Sequence, residues 1–184
     1  MTWQEARRYN MALTINHQTN DISATSGSVT IDGASAGGAW NLISTTEVST
    51  STSSIEFTGL SGYTTYALKV GYNTGFVSTA GDIQVLFGAS GTYATTNYLD
   101  QGSSGSEWEL FDTGTNYGLA IAYIQGLNAA KETLGISLGV SFNGFNKIEA
   151  LVHTTATAYD SIKLQPSTGT FESGFKVSVY GVSG

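Results

Sequence analysis

With 184 residues the chain is long enough for one well-buried domain plus a short appendage, and the absence of cysteine excludes disulfides and thiolate metal sites as its support. The formal charge is −7 and the pI is near 4.5. The five lysines beyond residue 10 stand singly, so the clustered cations that a phosphate backbone requires are missing and a nucleic-acid partner is not expected. Charged residues make up 11 %, against about 25 % in an average soluble protein. Gly, Ser and Thr fill the polar positions instead, giving a surface that costs little desolvation when subunits pack.

In chain order, MTWQEARRYN lacks the apolar core of a secretory signal, which fits a protein assembled inside a cell and released by lysis. No later run has the length and apolarity of a membrane-spanning helix, so no membrane insertion is expected. Trp3, Ala6 and Tyr9 fall at helix-like spacing beside Arg7 and Arg8. Trp3, Arg7, Arg8 and Tyr9 therefore read as an anchor that plugs into a larger assembly. The other reading is an extension ahead of Met11-Ala12-Leu13, which itself looks like a translation start.

Residues 13–39 contain two short β-like pieces, Leu13 to Ile15 and Ser28 to Ile31, too small to form a core without another sheet or further copies of themselves. Residues 1–39 are expected to form an N-terminal anchor, arm or stem, and residues 40–184 a head domain. Within the head, strand signals recur near 41–48, 54–58, 64–72, 81–88, 106–112, 118–125, 133–142, 147–155, 160–165 and 174–182. Tyr66, Leu68, Val70 and Tyr72 share one face of their strand. Ile83, Val85 and Phe87 share another, and Ile148, Ala150 and Val152 a third; these faces are expected to line the core. Leu134, Ile136, Leu138, Val140 and Phe142 alternate with Gly135, Ser137, Gly139 and Ser141. A face that small predicts close approach by another sheet or by a second subunit. The only helical signal is Asn128 to Glu132, with Asn128 as its N-cap, and the only proline, Pro166, is placed in a loop. Eight or more strands without a Cys-Trp-Cys signature predict an all-β, jelly-roll-like antiparallel β-sandwich rather than an immunoglobulin-type one.

Catalytic motifs are thin. Asp112-Thr113-Gly114-Thr115 follows apolar residues as in aspartic proteases, but such chemistry needs two aspartates sharing a proton, and a strand running into an Asp/Thr/Gly turn is the plainer reading. His17 and His153 are far apart in sequence, and Gly33 to Gly38 lacks the Gly-Lys-Ser/Thr that completes a phosphate loop. Asp100, Glu107, Glu109 and Asp112 have oxygens to offer calcium but not the spacing of an EF-hand, so no metal and no cofactor are expected. Tyr93, Tyr98 and Trp108 flank the Ser/Gly-rich loop Thr92 to Ser106. They are the candidate contacts to a glycan or receptor, the alternative being that the rings cover sandwich edges or fill a subunit interface.

Ile55-Glu56-Phe57-Thr58-Gly59-Leu60, Tyr63 through Val70, Ile83 to Gly88 and Gly169 to Val182 follow one another in an order that resembles head domains of bacteriophage virion appendages, over residues 40–184. Glu56 stands where that pattern usually has Asp, and the stretch from Tyr93 to Glu107 is longer. The resemblance implies a non-enzymatic, homotrimeric β appendage at the virion surface, assembled in the host cytoplasm. Such a short fibre or tail-tip component contacts other virion proteins through its N-terminal segment and aids host attachment. A capsid decoration or head-fibre protein is the alternative within the class; a monomeric carbohydrate-binding module or lectin is the alternative from another class.

Overall fold

The computed structural model describes residues 13–16, 21–24, 40–72, 77–78, 81–100, 103–113, 118–141 and 146–182. The chain divides into two compact units, Met1–Ala36 and Gly37–Gly184. In the first, β1 (Leu13–Asn16) and β2 (Asp21–Ala24) pair antiparallel, with Leu13 opposite Ala24 and Ile15 opposite Ile22. Leu13 to Ile15 is thus a strand; Ser28 to Ile31 and the anchor candidates Trp3, Arg7, Arg8 and Tyr9 lie outside the described residues.

The second unit is an antiparallel β-sandwich, with no helix among the described residues. Its strands are β3 (Asn41–Glu47), β4 (Ile55–Phe57), β5 (Thr65–Tyr72), β6 (Gly81–Ala89), β7 (Thr92–Tyr93), β8 (Tyr98–Asp100), β9 (Ser103–Gly105), β10 (Trp108–Thr113), β11 (Gly118–Gln125), β12 (Thr133–Ser141), β13 (Asn146–His153), β14 (Ser161–Pro166) and β15 (Lys176–Val182). The larger sheet has the order β3-β15-β5-β11-β12-β13-β8-β9, the smaller β10-β6-β14-β4 with β7 added beside β6. The ten expected head strands correspond to β3 to β6 and β10 to β15, while β7, β8 and β9 come from the loop between Thr92 and Ser106. Pro166 does not sit in a loop. It closes β14, opposite Ile83, at a strand end where the missing N–H is tolerated.

The core lies between the sheets. Tyr66, Leu68 and Val70 of β5, Ile83, Val85 and Phe87 of β6, and Val177 and Val179 of β15 point into it, all fully buried. Alternation read from sequence therefore matches these strands. It fails on β13, where Ile148 is 65 % exposed and Glu149, Leu151 and His153 are buried. The expected core face of β13 is its outer face. On β12 the inner residues include Thr133, Gly135 and Ser137, and the large residues point outward.

Trp108 is the reason for this inversion. The ring atoms of this fully buried side chain lie 2.8–3.2 Å from the position a Cβ on Gly135 would take, so only a glycine lets β12 and the indole meet. Close sheet stacking on the small face, one of the two expected outcomes, is what occurs. Asn128 starts no helix either. The β11–β12 connection is a turn in which Asn128 Nδ2 donates to the carbonyls of Leu60 and Tyr159 at 2.7 Å each, and Oδ1 accepts from Tyr66 Oη.

Candidate functional site

The three rings singled out as glycan contacts serve the fold. Trp108 and Tyr98 have no exposed surface. Tyr98 Oη accepts from the Phe87 amide at 2.8 Å and lies 3.4 Å from the Ala94 carbonyl, and burial pushes its hydroxyl well above the usual tyrosine range. The Tyr98 ring packs edge-on to His153 at 4.5 Å between centroids, with Phe87 and Tyr159 completing an aromatic cage. Tyr93 lies at the surface, but one side of its ring fills the space a side chain at Gly88 would need, and the Lys163 ammonium sits 5.5 Å from its centroid. Its hydroxyl donates to Glu56 at 3.1 Å; burial and that carboxylate push it up to about 12. None of the three offers an open stacking face.

Among the described residues no group of three or more His, Cys, Asp or Glu has an arrangement that could hold a metal ion. Asp112 lies in β10 opposite Asp82; the side chains of Asp100 and Asp112 are outside the described set. Glu107 accepts from Gln84 Nε2 at 3.1 Å, and burial followed by the charges of Glu109 and Asp82 raises its pKa. His153 lies at the heart of the aromatic cage, its Nε2 3.2 Å from the Thr96 carbonyl, which fixes the proton on that nitrogen in the neutral ring. Burial lowers the pKa of its imidazole.

The unusual feature is the outer face of the larger sheet. Register places Leu119 beside Val140, Ile121 beside Leu138 and Ile148, and Tyr123 beside Ile136 and Ala150. Gln125, Leu134 and Val152 form the last row. Across β11, β12 and β13 the described outward residues from Leu119 to Val152 are apolar except Gln125. Ile136 and Leu138 are each 50 % exposed and Ile148 65 %. Leu99 of β8, opposite Val152, extends the surface, and the exposed Trp40 ring approaches Tyr123 at 5.6 Å between centroids. The exposed area of these side chains is on the order of 600 Å², at the top of the range for the largest apolar patch on a monomeric protein.

On the remainder of that face polar and apolar side chains mix: Leu42 of β3, opposite Tyr180, is exposed, and so is Ile43. Lys176 pairs with Glu47 at 3.5 Å, Thr45 and Ser178 hydroxyls meet at 2.9 Å, and Lys69 stands exposed on β5. On the smaller sheet the outward side chains form a hydrogen-bonded ladder in which Gln165 donates to Gln84 at 3.1 Å and Gln84 to Glu107. Among the described residues the broadest continuous apolar surface is therefore the one on β11, β12 and β13. A shallow groove of about 370 Å³, lined by Thr65, Tyr123, Gln125, Leu134, Gly135 and Ile136, borders it.

Sequence reasoning offered Tyr93, Tyr98 and Trp108 as contacts, with a role in covering the sandwich as the alternative; Tyr98 and Trp108 are buried, while the exposed Trp40, Tyr123 and outward leucines were not singled out as contacts. The signal was present in β12: a row of glycine and serine can pair only with a large ring across the sandwich, which leaves the leucine row to face out. In comparisons with known proteins, no family model and no curated protein matches the chain.

Proposed function

We propose that this protein is a non-enzymatic structural component of a bacteriophage virion, a β-sandwich head that works by association in a short trimeric fibre or tail tip and aids host attachment. The observation that carries the reading is the broad exposed apolar area on the outer face of the larger sheet, in contrast to the hydrogen-bonded polar ladder outside the smaller one. A catalyst needs converging polar groups around a reacting atom; an assembly subunit needs a broad apolar face with few charges. The resemblance of residues 40–184 to phage appendage heads supplies the virion setting, and a capsid decoration or head-fibre role is its close variant.

The test is the solution mass of the full chain by light scattering after size exclusion, across about 1–100 µM, the span in which weak and strong self-association separate. A closed homo-oligomer, three copies in this reading, is expected. A monomer throughout overturns it. The exposed Trp40–Tyr123 pair beside the groove favours a second reading, a carbohydrate-binding module, because aromatic faces stack on the apolar faces of sugar rings. A monomer that is retained on a glycan array, and loses retention on Trp40→Ala, would establish that alternative.

A further inference from the structure

We infer that the apolar face formed by β11, β12 and β13 turns toward the axis of a closed assembly and is covered by the same face of neighbouring copies of this chain, with Leu138 nearest the axis. The inference rests on the assembly reading above and names its surface.

Area and shape both point to this occupant. The exposed patch of roughly 600 Å² per copy, Trp40 and Leu99 included, approaches the roughly 800 Å² per partner of a standard stable interface. No charged side chain interrupts the described outward rows from Leu119 to Val152, so a face-to-face contact desolvates no ion. A small molecule or a peptide needs a cleft, and three grooves among the described residues lie at the hairpin end of the face instead of across it. A gently twisted sheet face is matched best by another sheet face, which packs at about 10 Å with side chains interdigitating. A second copy provides that shape at equal concentration. In a closed assembly using one face per copy, residues at the middle of the patch meet their own counterparts nearest the axis. Leu138, flanked by Ile121 and Ile148, is that middle.

Lys69 and the Lys176–Glu47 pair mark the border where the contact ends. Beyond that border the exposed Leu42 and Ile43 of β3 stand apart from the rows of β11, β12 and β13.

The experiment compares the full-length protein with Ile148→Lys, Leu138→Thr and Glu56→Lys by the same light-scattering measurement. Circular dichroism and cooperative thermal unfolding check that each is folded. Both face positions are at least half exposed, and threonine keeps strand propensity, so the head folds in each variant. The expected result is a mass that is a multiple of the 19.3 kDa chain for the parent and for Glu56→Lys, which alters the other sheet. Ile148→Lys gives a monomer, and Leu138→Thr weakens association at least tenfold. If both face variants stay associated as tightly as the parent, this inference is overturned while the assembly reading stands on some other surface. If the parent is itself monomeric, both fail.

Discussion

Replacing Gly135 by alanine probes the contact that sets the orientation of β12. An added methyl would lie 2.8 Å from Trp108 Cη2 and 3.0 Å from Cζ3, well inside van der Waals contact, and the indole is fully buried with Phe87 beside it. Over-packing of this kind costs about 1–3 kcal/mol. Alanine recovers roughly 0.5–1 kcal/mol of the entropy penalty that glycine carries in a strand. The net expectation is a loss of about 0–2.5 kcal/mol, or a melting temperature lowered by up to about 10 °C in a domain of this size. Gly71 provides the internal control, since a methyl there meets nothing within 4 Å and its backbone is not left-handed. Gly71→Ala is expected to be neutral or slightly stabilising. Urea unfolding of both variants, together with Trp108→Phe and the Gly135→Ala/Trp108→Phe double variant, reads out the coupling, expected at 0.5–3 kcal/mol because the smaller ring relieves the clash. If Gly135→Ala matches Gly71→Ala in stability, the indole is not seated on β12 and the outward orientation of the leucine row loses its physical basis.

Two further expectations follow from buried polar groups. Asn128→Ala removes both donors to the Leu60 and Tyr159 carbonyls and strands the buried Tyr66 hydroxyl, at a cost of about 3 kcal/mol in urea unfolding; Asn128→Asp, which cannot donate, is expected to be no better at neutral pH. His153, whose pKa is held below its ordinary 6.5 by burial, is protonated in the unfolded chain before the folded one, so stability falls as pH drops through 6.5 and levels off below the depressed folded value. Asp160, held low by Ser161 and the Ser90 amide, and Glu172, held low by Ser51 and Thr170, lose their contributions only below their ordinary 3.8 and 4.5. Glu107, held high, has the opposite sign, and stability rises as pH falls through its folded value toward 4.5. Urea midpoints at pH 7.5 and 5.5 are expected to differ in the parent and to converge in His153→Gln; equal midpoints in the parent refute the account.

Strand positions were legible because alternation and Gly-rich turns are local. What alternation cannot supply is which of two faces is inside when both are weakly marked. On β5 and β6 the opposing faces differ in polarity, Lys69 against Leu68 or Gln84 against Val85, and the inside is unambiguous. On β12 the contest was leucine against glycine, and it was decided by Trp108, 27 positions away on the other sheet. On β13 it was decided against intuition, with Glu149 and His153 buried and Ile148 out. For the loop aromatics the sequence left two readings open for a related reason. Tyr98 and Trp108 lie in short strands that only their tertiary neighbours define, so a Ser/Gly-rich stretch concealed two of the largest buried side chains.

The position of β15 has a consequence for synthesis. This last strand in chain order is inserted between β3 and β5, whose residues precede it by more than a hundred positions, and Phe175 just before it accepts the Val48 amide. Until residues 176–182 have left the ribosome, β3 has no neighbour and the sheet stands open on the inner side of Leu68 and Val70. The hairpins of β11, β12 and β13 are complete earlier, so their sticky outer surface is present on nascent chains that cannot yet close their interior. Neighbouring polysomal chains are then at risk of premature pairing for as long as β15 is missing, a window that rapid synthesis of residues 176–182 shortens and a holding chaperone covers.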